Sequence, residues 1–130
     1  MIQRCLAVLS LTLAAATTAS AAPGGPPTYE AAFIRTFPDR QFGPAGPYYP
    51  HTAGQRGYAG DAVIQCHIVP PAPGRLTGCL VVSETPQGLM FGAAAREMAA
   101  AGVIAVTPDG GPPPPPGAVV RVHVPFTIGR

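Results

Sequence analysis

The sequence contains no lysine and no tryptophan, and charges of both signs are sparse. The sequence has eight arginines and six acidic residues, which gives a net charge of +2 at pH 7 with neutral histidines. A basic stripe of the kind that binds nucleic acid or an anionic membrane is therefore missing. We expect neither as a partner.

Charged residues make up only 11% of the chain, against about 25% in a typical soluble domain. Such a composition favours a surface with apolar or proline-rich patches that serve as contact surfaces.

A recognisable catalytic constellation is also lacking. Ser83 stands in Val-Ser-Glu, without the Gly-x-Ser-x-Gly elbow of a nucleophilic serine. The histidines are scattered, and the sequence has neither paired carboxylates nor metal-ligand spacing. We therefore expect no enzyme, no cofactor, no metal site and no small-molecule substrate. The rival hypothesis of catalysis rests on His51, His67, His123, Ser83, Asp61, Asp109 and Glu84.

The apolar run near the N-terminus is short for a membrane-spanning helix, which needs roughly 20 residues. Arg4 precedes a stretch of apolar or small uncharged residues, and this stretch ends in Ala19-Ser20-Ala21. The pattern predicts a secretion signal over residues 1–21, cleaved between Ala21 and Ala22. The alternative is an uncleaved segment that anchors the chain in the inner membrane.

Proline and glycine number 18 and 16 and are concentrated between Pro23 and Gly46. This bias predicts a flexible linker over residues 22–46 and a single small domain over residues 47–130. The five consecutive prolines at residues 112–116 predict a rigid polyproline II loop, with a ligand for a proline-binding domain as the alternative.

Two segments predict a β-hairpin. Residues 60–69 and 76–83 are rich in β-branched residues, and the prolines of residues 70–74 separate them. Folding about this turn places Cys66 opposite Cys79, where Cα atoms about 4.5–5.5 Å apart permit a disulfide. An even pair of cysteines in an exported chain favours the same bond. The same register pairs Ile64 with Val81 and Ile68 with Thr77. The alternative is a register shifted by one residue through the loop.

The remaining elements are a helix and a last strand. Residues 87–102 are rich in alanine and place one apolar stripe at helical spacing, formed by Phe91, Ala94, Ala95 and Met98. In residues 119–128, large apolar residues alternate with others, which predicts a strand, and Pro125 favours an edge position for it. The expected fold is α+β: a hairpin, a helix and a strand, forming a three-stranded antiparallel sheet with the helix on one face.

This order of elements, with particular residues inside it, resembles the TonB C-terminal domain family. The resemblance covers about residues 47 to 129. It is carried by Tyr49-Pro50, Ala53, Gly57, Gly60, Gly74-Arg75-Leu76, Val82-Ser83-Glu84-Thr85-Pro86, Phe91-Gly92, Ala94-Ala95, Pro108, Asp109-Gly110-Gly111 and Val124-Pro125-Phe126.

The resemblance implies a periplasmic protein that works by binding. In that family, the last strand captures a peptide of an outer-membrane TonB-dependent receptor by strand addition. Carried to this chain, the receptive edge comprises Val119, Arg121, His123, Pro125 and Thr127. The alternatives are that Pro125 and Arg121 merely protect this edge against aggregation, and that the chain is a non-energised structural or homodimerising module.

Mass spectrometry of the secreted protein tests the first residue-level predictions. We expect an N-terminus at Ala22 and a mass lower by the two hydrogens lost in a Cys66–Cys79 bond. An intact N-terminus in the inner-membrane fraction contradicts cleavage, and a mass without this deficit contradicts the disulfide.

Overall fold

The computed structural model describes residues 25–35, 37, 39–69, 74–106 and 114–129. Within these ranges the chain forms strands, two α-helices and a 3₁₀ segment. In chain order the elements are β1 (Thr28–Phe33), the 3₁₀ segment (Gly43–Tyr48), α1 (His51–Arg56), β2 (Gly60–Val69), β3 (Arg75–Thr85), α2 (Phe91–Ala100), β4 (Ile104–Val106) and β5 (Val119–Phe126).

Several predictions fall outside the described residues. These are the signal peptide with its cleavage site, the prolines of the hairpin turn, the Asp109-Gly110-Gly111 turn and the first part of the five-proline run. In the part of the chain that is described, no helix is both long and apolar enough to span a membrane.

The predicted hairpin, helix and last strand are all present. β2 pairs with β3 and with β5, antiparallel in both cases. The helical stripe of Phe91, Ala94, Ala95 and Met98 is buried, and α2 packs against β2 and β3. The alternation in β5 buries Val120, Val122, Val124 and Phe126 on one face. Periodicity of apolar residues therefore located these elements correctly.

The predicted sheet is wrong in size and in strand direction. The sheet has five strands in the order β3-β2-β5-β1-β4, and β1 runs parallel to β5 while β4 runs antiparallel to β1. The fold remains broadly α+β, but the sheet is a mixed, curled half-barrel. β5 consequently lies inside the sheet and not at its edge.

The two additional strands have no clear signal in the sequence. β1 lies within residues 22–46, where proline and glycine predicted a flexible linker. β4 spans only Ile104–Val106 and is buried throughout. Three consecutive buried residues show no alternation of apolar and polar side chains, so the sequence does not distinguish a strand from a helix here. Both segments are strands because of the hydrogen bonds that they form with neighbouring strands.

The sheet curls until its two outer strands meet at one end. Gly74 and Val106 form an isolated antiparallel bridge, with N–H···O distances of 2.8 and 3.1 Å. A Cβ atom on residue 74 would lie 2.4 Å from Ile68 Cδ1. A side chain at residue 74 would therefore displace the side chain of Ile68.

Aromatic rings fill one end of the core. Phe91 and Phe126 have centroids 5.0 Å apart, and Tyr49 meets each of them edge to face. The Tyr49 hydroxyl donates a hydrogen bond to the Tyr58 carbonyl. Burial raises the pKa of Tyr49. The α1 region is thereby fastened to the sheet and to α2.

The hairpin contains the predicted disulfide between Cys66 and Cys79, with Cα atoms 4.2 Å apart. Ile64 pairs with Val81 as expected, but Ile68 pairs with Leu76, since the register shifts between Gln65 and His67. Gly78, at φ +60°, provides the extra residue of this bulge. The disulfide is compatible with an exported or oxidising environment.

Removing the disulfide with Cys66→Ala/Cys79→Ala tests its contribution to the free energy of unfolding. We expect a loss of about 2–4 kcal/mol, because the bond restricts the unfolded chain. Urea denaturation monitored by circular dichroism measures the loss. As a control, a reductant should destabilise the wild type and leave the double variant unchanged. A double variant as stable as the oxidised wild type contradicts the prediction.

Candidate protein-binding groove

The predicted peptide-binding edge is covered by the chain itself as far as His123. β5 pairs with β2 over Val119–Phe126. On its other side, β5 pairs in parallel with β1 from Arg121 to His123. Near the C-terminus, Gly129 N–H donates to the Gln41 carbonyl at 2.7 Å. Of the predicted edge residues, Val119, Arg121, His123 and Pro125 lie in this interior strand and Thr127 follows it.

The position of Pro125 in an interior strand has a geometric explanation. The Arg121 N–H donates to the Pro27 carbonyl at 2.8 Å, on the β1 side. Because backbone groups alternate along a strand, the position of the missing N–H of Pro125 also faces the β1 side. The ladder with β2 is therefore intact. The β1 ladder ends at His123, so Pro125 marks a local gap on that side, while the strand as a whole lies inside the sheet.

The accessible sheet edge is β3. Among the described residues, β3 forms its ladder with β2 alone, and the bridge at Gly74 precedes it. In that ladder Thr77 pairs with His67 and Arg75 with Val69. Ile68, opposite Leu76, bonds through its N–H and C=O to Ala118 and Gly117 on the β5 side. The N–H and C=O of Leu76 therefore point away from β2, although the residue as a whole is only 4% exposed. Leu80, Val81 and Val82 are at least 37% exposed, so apolar side chains accompany this edge.

β3 carries one more residue than β2 at each of two places. The register shifts between Val63 and Ile64 and again between Gln65 and His67. Bulges bend a strand and increase its twist, and they also protect sheet edges against pairing. A regular ladder with an incoming strand is therefore confined to short segments of β3.

A groove of about 640 Å³ lies between the N-terminal half of β3 and the outer face of α2. From β3 it is lined by residues that include Arg75, Leu76 and Thr77. From α2 it is lined by Ala93, Arg96, Glu97 and Ala100. The groove is open along its length, with a strand edge on one wall and small alanine side chains on the other.

The carboxylate of Glu84 sets the position of α2 relative to β3. It accepts hydrogen bonds from the backbone N–H groups of Gly88 at 3.0 Å and Gly92 at 2.9 Å. A carboxylate at a helix N-terminus satisfies unpaired N–H groups and interacts favourably with the helix dipole. Gly92 also lies so close to β3 that a Cβ atom there would be 2.5 Å from Val81 Cγ1. Helix and strand are therefore held at a fixed separation.

The groove carries more positive than negative charge. Arg75 and Arg96 line it together with a single carboxylate, that of Glu97. Within the described residues, the ion pairs link His123 with Glu30 and Asp61, and neither arginine of the groove takes part in one. Their guanidinium groups are available to an incoming segment.

The other polar cluster is the one around His123, on the opposite face of β5 from its buried side chains. His123 Nδ1 lies 2.8 Å from Glu30 Oε1, and His123 Nε2 lies 3.4 Å from Asp61 Oδ2. The hydrogen bond to Glu30 raises the pKa of His123, partial burial opposes this effect, and Asp61 adds to it. Glu30 was not among the residues singled out from the sequence, because it belongs to the expected linker.

The cluster around His123 does not have the geometry of a metal or nucleophile site. The two carboxylates contact opposite nitrogens of one ring, so a single ion could not take all three as ligands. No group of His, Cys, Asp and Glu side chains in the described residues is arranged to hold a metal ion. Ser83 lies on β3, one strand away from Asp61 and two from His123.

The remaining catalytic candidates are not brought together. His67 Nδ1 lies 3.2 Å from the Gly117 carbonyl oxygen, and His51 begins α1. Glu84 caps α2. Asp109 lies outside the described residues.

Comparison with known proteins gives no match. No family model, no curated protein and no solved structure matches this chain. The resemblance to TonB C-terminal domains stays a prediction from the sequence, and the groove has to be interpreted from its own geometry.

The role of Glu84 is tested by Glu84→Gln, with Glu97→Gln as the matched control. The amide removes the negative charge and one of two acceptors at the start of α2. We expect the free energy of unfolding in urea to fall by about 1 kcal/mol for Glu84→Gln and by less than about 0.5 kcal/mol for Glu97→Gln. Equal effects of the two substitutions contradict the capping role.

Proposed function

We propose that this chain is a non-enzymatic binding module that takes an extended segment of a partner polypeptide into the groove between β3 and α2. The observation that carries the proposal is the combination of an accessible strand edge and a helix face on the two walls of one groove. Peptide-recognition domains use this combination, since the strand edge supplies main-chain hydrogen bonds and the groove supplies side-chain pockets.

Main-chain pairing would begin at Leu76, whose N–H and C=O point away from β2 because those of the opposite Ile68 bond on the β5 side. Leu76 as a whole is only 4% exposed, so an incoming strand has to reach these groups from within the groove. The bulge at Gly78 limits the regular ladder to a few residues on this side. The partner segment is therefore short, and much of its affinity has to come from its side chains.

The helix wall determines which side chains fit. Ala93 and Ala100 leave room for large side chains of the partner, and Arg96 stands between them with Glu97 beside it. Arg75 adds positive charge on the strand wall. Charge complementarity at an interface directs encounter and register. The preferred segment is therefore apolar with acidic residues.

The compartment forms part of the proposal. An exported location is supported by the Cys66–Cys79 disulfide and by the signal-like N-terminus. A periplasmic location and a link to TonB-dependent transport across the outer membrane rest on the sequence resemblance alone. The binding mode at β3 does not depend on that link.

Selection from a library of random decapeptides against the purified exported protein tests the proposal. We expect the selected peptides to shift the backbone amide signals of β3 and α2 in NMR spectra. Filling the groove with Ala100→Trp should weaken binding about tenfold or more, or 1.4 kcal/mol, with less than about a twofold change for the matched control Ala101→Trp. A library that yields no binder, or amide shifts confined to other elements, contradicts the proposal.

A second candidate function is self-association through β3, favoured by the exposed Leu80, Val81 and Val82. Two copies pairing edge to edge would cover these side chains. Sedimentation equilibrium at several concentrations separates the alternatives. A stable dimer that Val82→Lys dissociates supports a structural module, and a monomer that binds the selected peptides supports the proposed function.

A further inference from the structure

Strand β1 is attached to the sheet by a short ladder. Residues Thr28, Tyr29 and Glu30 pair in parallel with β5, and the next three residues pair with β4. β1 thus changes partner midway along its length. Parallel pairing is slightly weaker per residue than antiparallel pairing, so side-chain contacts carry much of the attachment to β5.

The imidazole of His123 makes a polar contact at this junction. It joins Glu30 of β1 to Asp61 of β2 across the strand that lies between them. A protonated imidazole donates from both nitrogens, whereas a neutral one donates from one nitrogen only. Loss of the proton therefore leaves one of the two carboxylates without its donor, and in either tautomer it removes the attraction of the imidazolium charge for Glu30.

We propose that His123 is a pH-sensitive latch that holds β1 against β5, closed when the imidazole is protonated and loosened when it is neutral. In the sheet, β1 lies between β5 and β4. When β1 loosens, the β1-facing sides of β5 and β4 become accessible.

The direction of the effect follows from proton linkage. The hydrogen bond to Glu30 raises the pKa of His123 in the closed state. A raised pKa stabilises the closed state fully below the ordinary histidine pKa, and this stabilisation is lost as pH rises through the raised value. The charged groups facing the ring are Glu30 from β1, Asp61 from β2 and Arg121 two residues away on β5. Arg121 Nε donates to Gln65 Oε1 at 3.2 Å.

NMR of the exported protein between about pH 5.5 and about pH 8.5, the range in which histidine titrates, tests the latch. The His123 ring signals give its pKa, and amide exchange rates of β1, corrected for intrinsic exchange, give its opening. We expect β1 opening to increase with pH through the His123 pKa. The increase is about tenfold for each unit by which that pKa exceeds its value in the open state. Amides of the β2–β5 ladder should show no such change.

Glu30→Gln should lower the His123 pKa and abolish the pH dependence of β1 opening. The Glu30 side chain is 72% exposed, so this variant should fold. The matched control is His67→Gln, which removes a histidine bonded only to a backbone carbonyl and should leave the response intact. Unchanged β1 protection across the pH range, or an equal response in wild type and Glu30→Gln, overturns the proposal.

Discussion

The antiparallel ladder between β2 and β5 is the constraint on which the rest of the structure depends. Eight consecutive register pairs join Gly60 to Phe126 at one end and His67 to Val119 at the other. Because the ladder fixes which residues alternate onto each face, it places Ile64, Cys66, Val122 and Val124 on the buried side. The opposite side then carries Asp61 and His123, which explains why a polar cluster lies outside the aromatic core.

The groove follows from the way in which that ladder is extended. β3 joins β2 on one side, with the disulfide bridging their buried face. β1 and β4 join β5 on the other, and the curl brings β4 back to Gly74. The helix α2 connects β3 to β4 and lies across the opening, capped by Glu84. An open strand edge and a helix are thereby held side by side, which is the arrangement that a strand-adding peptide requires.

Sequence reasoning was reliable where apolar residues recur at a regular spacing, because there a strand or helix buries one face. It located β2, the helical stripe of α2 and the alternation of β5, and it identified the Cys66–Cys79 bond. It favoured an edge position for β5, whereas the sheet places β5 between β2 and β1, because Pro125 indicates a missing donor but not the neighbour that the donor would have faced. Arg75 and Arg96 of the groove were not singled out, since surface arginines without a motif carry no signal of their position.

The sequence by itself determined the local elements and the covalent bond between two of them, because these depend on side-chain period and on residues close along the chain. The tertiary structure alone decided the number and order of strands. β1 and β4 are too short, and too ambiguous in composition, to be strands without neighbours that complete their hydrogen bonds. It also decided which strand is open to a partner and that Glu30 meets His123. Both depend on contacts between residues far apart in the chain, and no local pattern records such contacts.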